Sequence, residues 1–362
     1  MTIEAIVEQF RERIVSAGAT RTALRLRGSG SKDWYGETPA GEVLDTSGYQ
    51  GIVAYEPTEL VVTVRCGTPL RELEQELALQ GQMLAFEPPH FGPGATVGGV
   101  LAAGLSGPRR PSAGAVRDFV LGAVLMDGRG ETLRFGGQVM KNVAGYDVSR
   151  LLAGSMGILG LVLEVSLKVL PRPTAEATVQ LELAQDEALL RLNQWAGQPL
   201  PLSASCWHDG VLTVRLSGAQ AAVAAAEKHL GGVAMTAQLA ANWWRDLREH
   251  QHALLRSEDE RPLWRLSLPS TVPAQALSMI DDTAQLIEWG GAQRWLRSAA
   301  NPQALRDRVT ALGGHATLFR SGAERRAVFQ PLAPAVHAIH RNLKQYFDPA
   351  GIFNRGRMYQ DL

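Results

Sequence analysis

Apolar and polar positions change period repeatedly along the first half of the chain, and each change marks an element. Residues 3–17 carry apolar side chains at helical spacing among charges and predict an amphipathic helix. Short β-type runs follow at Ala23 to Leu26 and Gly41 to Thr46, and a stronger one, rich in β-branched residues, at Leu60 to Arg65. Thr68-Pro69 then opens a helix that ends near Gln80-Gly81. Thr68 is the expected cap, Pro69 suits the first position, and Glu72 and Glu74 suit the positive end. Val97 to Leu105 reads as a short helix and Val148 to Leu152 as a helical turn. Leu121 to Met126 and Thr132 to Phe135 flank a hairpin-type Asp127-Gly128 turn. Leu159 to Leu170 alternates as a long half-buried strand. Beyond Pro173 strand and helix patterns alternate, with a strand expected at Ala316 to Phe319.

Composition divides the chain in the same place. Sixteen of the 37 glycines lie between Gly92 and Gly160, whereas seven of the eight tryptophans lie after Pro173. Pro171-Arg172-Pro173 cannot continue a central strand and marks the join. With 36 basic and 36 acidic residues the formal charge is zero, which argues against a nucleic-acid binder. Two distant cysteines, Cys66 and Cys206, offer no disulfide framework, no iron–sulfur cluster within the chain and no structural zinc. The N-terminus is charged rather than signal-like. The longest uncharged run, Phe91 to Pro108, holds six glycines and two prolines, a poor transmembrane segment. A soluble cytoplasmic protein is expected.

The informative chemistry lies in two glycine loops. Arg27-Gly-Ser-Gly-Ser-Lys32 has small residues, two hydroxyls and a cation at each end. Pro88 to Gly104 contains Pro93-Gly-Ala-Thr-Val-Gly-Gly99 directly before the helix expected at Val97. Backbones without side chains can approach a ligand closely, and successive free N–H groups form an anion-binding hollow. Two such loops suit a diphosphate, and in one domain they suit a dinucleotide. Neither is a standard nucleotide motif: Val100 follows Gly99 where a P-loop needs lysine, and Asp33 stands where GxGxxG needs its third glycine. Of only five lysines, Lys32 and Lys141 fall in these motif segments, where an ammonium would steady negative charge on a cofactor.

These residues resemble the FAD-binding domain of the PCMH type, also called the vanillyl-alcohol-oxidase type. The resemblance runs in order through Arg27–Lys32, Pro93–Gly99, Ser106–Gly114, Arg117–Gly122 into Met126-Asp-Gly128, Lys141–Asp147 and Gly154–Gly160. Near the C-terminus Phe347-Asp-Pro and Phe353-Asn-Arg-Gly-Arg357 are similar to the family's closing segment. The Lys141–Asp147 segment and the short length look most like the E-subunit branch of bacterial glycolate oxidases (glycolate dehydrogenases). The resemblance implies an α+β fold: a two-subdomain FAD-binding domain over residues 1–172, an α/β cap domain over 173–340, and a segment 341–362 returning to the flavin. It implies FAD as cofactor. Arg27, Gly28, Ser29, Gly30, Ser31 and Lys32 would lie at the diphosphate. Pro93, Gly94, Ala95, Thr96, Gly98 and Gly99 would lie on its other side, so that a side chain at Gly98 would push into the diphosphate. Gly104, Ser106, Gly107, Ser112 and Gly114 would run along the flavin ring and ribityl chain, with Lys141 beside the cofactor, Gly157 and Val162 at the adenine end and Asn354 at the flavin's pyrimidine edge. Arg355 and Arg357 replace the family's usual proline and lysine and keep that end positively charged.

The resemblance implies a FAD-binding subunit that helps oxidise glycolate, a 2-hydroxy acid, to glyoxylate. Its partners would be a homologous FAD-containing catalytic subunit and an iron–sulfur subunit, which could hold it peripherally at the inner membrane. A self-sufficient oxidoreductase of another small hydroxy acid or alcohol, and a non-catalytic assembly subunit, remain as alternatives. No catalytic residue is assigned. The His-rich metal motif of the sister catalytic subunits is absent from the sequence, and the pairs His250/His252 and His337/His340 read as structural or solvated. His315 could reach the flavin from the cap; His90, Arg110 and Tyr146 are further candidates. Arg294, Arg297, Arg320, Arg325 and Arg326 could hold a carboxylate or form a solvated surface. Trp243-Trp244-Arg245 fits an interface or ordinary core and rim.

Overall fold

The computed structural model describes residues 2–137, 147–256, 260–277, 285–321 and 327–362. Lys141, Tyr146, Arg325 and Arg326 lie outside the described residues.

The first half is built on a five-stranded antiparallel sheet in the spatial order Ile52–Glu56, Val61–Arg65, Leu161–Lys168, Val120–Met126, Thr132–Gly136. Val64 and Ala123 both pair with Val165, so the alternating apolar positions of three strands fall on one face. Leu70–Leu79 covers that face. Its Leu70, Leu73 and Leu77, spaced at helical period, are fully buried against Val62, Val64 and Phe86. The start of this helix differs from the expectation. Thr68 does not cap it; its hydroxyl instead accepts the Gly51 amide at 2.9 Å, and Pro69 sits at the cap position without a side-chain bond.

The helix Ile3–Thr20 buries Phe10, Ile14 and Ala17 against Leu24, Leu44, Leu161 and Phe353. Leu24–Arg27 and Glu42–Asp45 form a separate parallel pair, and the polypeptide past residue 350 adds beside it. Leu24 N donates to Ile352 O at 2.7 Å, and Asn354 N donates to Leu24 O at 2.8 Å. Lys344, in the helix Pro334–Phe347, fixes this return. Its buried ammonium donates to Asp348 at 2.8 Å and to the carbonyls of Ile158 and Phe353 at 2.8 and 2.7 Å.

The second half is one eight-stranded sheet, in the order Val233–Ala234, Ala175–Glu182, Val211–Gly218, Leu202–His208, Gln285–Glu288, Gln293–Arg297, Leu263–Ser267, His315–Arg320. Every adjacent pair is antiparallel. Period-two alternation gives it two different faces. Val179, Leu212, Val214, Leu266 and Leu318 look outward and are covered by Gln185–Ala196, Gln220–Leu230 and Pro302–Ala311. The opposite face carries Thr178, Arg215, Cys206, Glu288, Gln293, Trp295, Arg265 and Thr317, and it looks towards the first half.

Part of that seam is ionic. Glu87 accepts from Arg215 at 2.9 Å and from Arg109 at 3.3 Å, and Arg109 also reaches Glu176 at 2.5 Å. Burial alone would raise the Glu87 carboxyl, but Arg215 and Arg109 outweigh it and hold the group below its ordinary value. Trp244 belongs to this seam rather than to an outer surface. It is buried, its indole N–H donates to Thr178 Oγ1 at 2.9 Å, and the Arg215 guanidinium lies 4.9 Å from its ring centre.

Candidate FAD site

The strand Leu24–Arg27 ends at the first glycine loop, and the helix Val97–Ala103 begins at the second. Between them lies an open cleft, lined by residues 25–33 together with Thr96, Gly99, Met156, Asn354 and Arg357. The loops touch without side chains between them. A Cβ on Gly28 would stand 2.5 Å from Thr96 Oγ1, and one on Gly94 would stand 3.0 Å from Ser29 Cβ. Gly30 has φ +80°, a conformation that glycine adopts freely.

The backbone here is short of partners. Among the described residues, the amides of Gly28, Ser29 and Gly30 donate to no protein acceptor. Unpaired amides at a loop are a ready site for phosphoryl oxygens. Thr96 caps the helix by accepting the Gly99 amide at 3.2 Å, which fixes the helix start facing the cleft. The surroundings are cationic. Arg27 Nε donates to Asp33 at 2.8 Å, and Arg25 pairs with the same carboxylate. Arg357 donates to the carbonyls of Lys32 and Asp33, at 3.2 and 3.0 Å, and to that of Glu37, so it holds the far side of the loop by its backbone.

Lys32 Nζ donates to His90 O at 3.0 Å and lies 5.8 Å from the Phe91 ring centre. Burial pushes its pKa down to about 8, against a smaller upward pull from Glu249. Glu249, at the end of the helix Ala237–Arg248, accepts the amides of His90 and Phe91 at 3.1 and 2.9 Å. The second half thereby fixes the segment that carries the Lys32 acceptor. The sequence contained no motif that would have singled out Glu249.

The other expected residues divide by position. Gly98 does not face the cleft: its amide donates to Cys66 O at 2.7 Å, and a Cβ there would stand 2.8 Å from the same oxygen. A side chain at 98 would therefore strike the 65–67 turn, not a diphosphate. Ala95 is buried in the core, its carbonyl accepting Leu70 N at 2.7 Å, and Pro93 lies in the open groove beside Phe91. Gly104 closes the helix at φ +64°, where a Cβ would meet Gly154 Cα at 2.7 Å. Gly107 lies against Glu87 O, and Ser106 Oγ accepts Val116 N at 3.1 Å. Ser112 Oγ bridges Arg109 O and Ser203 O at 3.0 and 3.1 Å, across the seam, and Gly114 ends the same helical turn at φ +107°. Val162 sits in the central sheet opposite Leu125. Gly157 adjoins Asn354, whose Nδ2 would be 2.7 Å from an added Cβ. Asn354 itself is a latch: its Oδ1 accepts Leu26 N at 2.8 Å and its Nδ2 donates to Met156 O at 2.6 Å.

The remaining candidates are also placed. His250 is buried among Phe91, Trp295 and Phe319, and His337 pairs with Asp361 on the surface. His90 bonds to Glu74 at 2.9 Å through Nε2. Arg294 and Arg297 are buried and donate to backbone carbonyls, so neither forms a solvated surface. Burial pushes the Cys66 and Cys206 thiols up, which leaves both unreactive. Among the described residues there is no metal-ligating cluster, and no helix is long and apolar enough to cross a membrane.

Known proteins resemble this chain in sequence and in fold. Residues 5–136 match the family described as FAD binding domain. The chain is 46% identical over 359 residues to glycolate oxidase subunit GlcE of Escherichia coli (strain K12), covering 99% of this chain and 98% of the relative. It is 33% identical over 162 residues to glycolate oxidase subunit GlcD of Bacillus subtilis (strain 168), 44% of this chain and 34% of that one. A solved alkyldihydroxyacetonephosphate synthase shares the fold with TM-score 0.67 at 16% identity, covering 96% of this chain and 74% of that one. The sequence and the fold are those of an FAD-dependent oxidoreductase with a PCMH-type binding domain. Within that class, the chain belongs to the GlcE family.

Proposed function

We propose that this chain is the FAD-binding subunit of a multi-subunit glycolate oxidase, which oxidises glycolate to glyoxylate and passes electrons to an iron–sulfur partner. The whole-length likeness to GlcE carries the reading. The unpaired amides of Gly28, Ser29 and Gly30, the capped helix start at Thr96 and Gly99, and the cationic rim of the cleft support FAD at this place. Bound FAD would accept the hydride equivalent from the acid. The chain's own residues grip the diphosphate and orient the cofactor against the cap. In domain terms, residues 1–172 form the FAD-binding unit, 173–340 the cap, and 341–362 the returning segment.

The test is glycolate-dependent dye reduction by the purified chain alone and after adding the partner subunits. Flavin bound without turnover, with activity appearing on reconstitution, supports the proposal. Full turnover by the isolated chain would assign it to a self-sufficient enzyme instead.

Lys32 supplies a pH-dependent expectation. A diphosphate favours the charged ammonium, and in the free protein that charge is lost as pH rises through about 8. FAD affinity, measured by fluorescence titration, is expected to be level below pH 7 and to fall above pH 8. In Lys32→Met it should be weaker throughout and show no such step. Equal pH profiles for both proteins would remove Lys32 from the cofactor's charge balance.

A further inference from the structure

We propose that Glu249, in the second half of the chain, is a positioning residue for the cofactor: through the peptide group between His90 and Phe91 it aims the Lys32 ammonium at the diphosphate, and so makes FAD binding depend on contact between the two halves. The inference rests on the FAD placement proposed above.

One peptide group lies between the two charges. Its N–H, that of Phe91, donates to Glu249 Oε2 at 2.9 Å, and its carbonyl, that of His90, accepts Lys32 Nζ at 3.0 Å. The positive end of the peptide dipole thus meets the carboxylate and the negative end meets the ammonium, and each bond polarises the group in favour of the other. A second amide, His90 N, donates to the same Glu249 oxygen at 3.1 Å. Lys32 lines the diphosphate cleft, whereas Glu249 lines a separate groove along residues 90–93. Glu249 therefore acts on the cofactor at one remove.

This peptide is held from outside its own segment. Phe91 has φ +53°, a left-handed angle that an aromatic residue rarely takes, so local preference does not set the orientation. Its ring is wedged between Trp34, just past the first glycine loop, and His250, next to Glu249, with ring centres 5.1 Å away on both sides. Glu249 itself stands at the C-terminal cap of the helix Ala237–Arg248, where the helix dipole disfavours a carboxylate. The two amides, with Arg248 Nε at 2.8 Å, offset that misfit.

The other charged groups around Lys32 are engaged elsewhere. Asp33 pairs with Arg25 and Arg27, and Glu74 with His90. Arg357 donates to the Lys32 carbonyl, and the Arg320 guanidinium lies over the Trp34 ring, 4.3 Å from its centre. The charge that pulls the Lys32 ammonium upward, against burial, is that of Glu249. Without it, burial carries Lys32 further down, and its proton leaves at lower pH.

The experiment measures the FAD affinity of the full chain by fluorescence titration, across the pH range in which Lys32 titrates. The proteins are the wild type, Glu249→Gln, Lys32→Met and the double variant, and NMR follows the Lys32 ammonium in flavin-free protein. Glu249→Gln keeps an acceptor and loses the charge. It is expected to bind FAD about 5–10-fold more weakly at pH 8, with the pH step moved down and the Lys32 midpoint lowered. In the Lys32→Met background the same change should leave affinity unaltered. Glu249→Asp keeps the charge but draws it back from the peptide. Its affinity should lie between those of the wild type and Glu249→Gln, and it provides the test should Glu249→Gln fail to fold. Equal losses with and without Lys32, in either variant, or an unmoved pH step in Glu249→Gln, overturn the proposal. If Lys32→Met loses affinity while Glu249→Gln matches the wild type throughout, the FAD placement stands and the role of Glu249 falls. If the Lys32 midpoint moves in Glu249→Gln but neither single variant changes FAD affinity, the diphosphate does not lie beside Lys32, and the proposal falls with that placement.

Discussion

A Gly28→Val variant is expected to fold and to lose FAD. The position needs no unusual backbone angle, so the defect is one of space. An added Cβ would stand 2.5 Å from Thr96 Oγ1 and 3.1 Å from its Cγ2. Thr96 cannot swing away without releasing the Gly99 amide that it caps at 3.2 Å. The two loops must therefore separate, and the amides of residues 28–30 move away from the helix start that faces them. Losing two or three charge-assisted hydrogen bonds, each contributing about 1.5–3 kcal/mol, lowers FAD affinity by at least about 100-fold. The ratio of flavin to protein absorbance after gel filtration, with circular dichroism to show folding, measures this. Gly48→Ala is the control, because nothing lies within 4 Å of a Cβ there. Stoichiometric FAD in folded Gly28→Val would mean that the diphosphate lies elsewhere.

Lys344→Met is expected to destabilise the fold more than any change on the cleft surface. Its ammonium serves three acceptors in a buried pocket: Asp348, Ile158 O and Phe353 O. Asp348 also receives the amides of Ile352 and Phe353, at 3.0 and 2.8 Å, so it cannot turn towards water. Removing the cation strands a buried carboxylate, which costs about 3–5 kcal/mol. Thermal unfolding should show the loss in flavin-free protein. Adding Asp348→Asn to Lys344→Met should cost less than the two single changes summed, because the stranded charge is then absent. Strict additivity would show that the ion pair does not hold the return segment.

Much of the first half could be read from the residues. The β-branched run at 60–65, the Asp127-Gly128 turn and the alternation before Leu170 each have a local physical cause, and the strands Val61–Arg65, Val120–Met126 and Leu161–Lys168 lie there. The two loops met across the cleft because small residues permit close approach, a property legible in Gly28, Gly94 and Thr96. What the sequence hid was direction. Gly98 resembles its neighbours in the motif, yet it faces Cys66, since successive positions at a helix start point to different sides. Asn354 carried the right location, but its amide is taken up at both ends by backbone. Glu249 sits in no motif. Its surroundings come from contacts between distant segments, which no local pattern encodes.

The latch between Leu26 and Asn354 joins positions 328 residues apart. A ribosome making this protein exposes the first glycine loop early and the wall opposite it very late. Until the residues around Asn354 and Arg357 emerge, the hollow lacks one side, and a dinucleotide entering it would meet solvent there. On the proposed placement of FAD, cofactor capture is expected to follow completion of the chain.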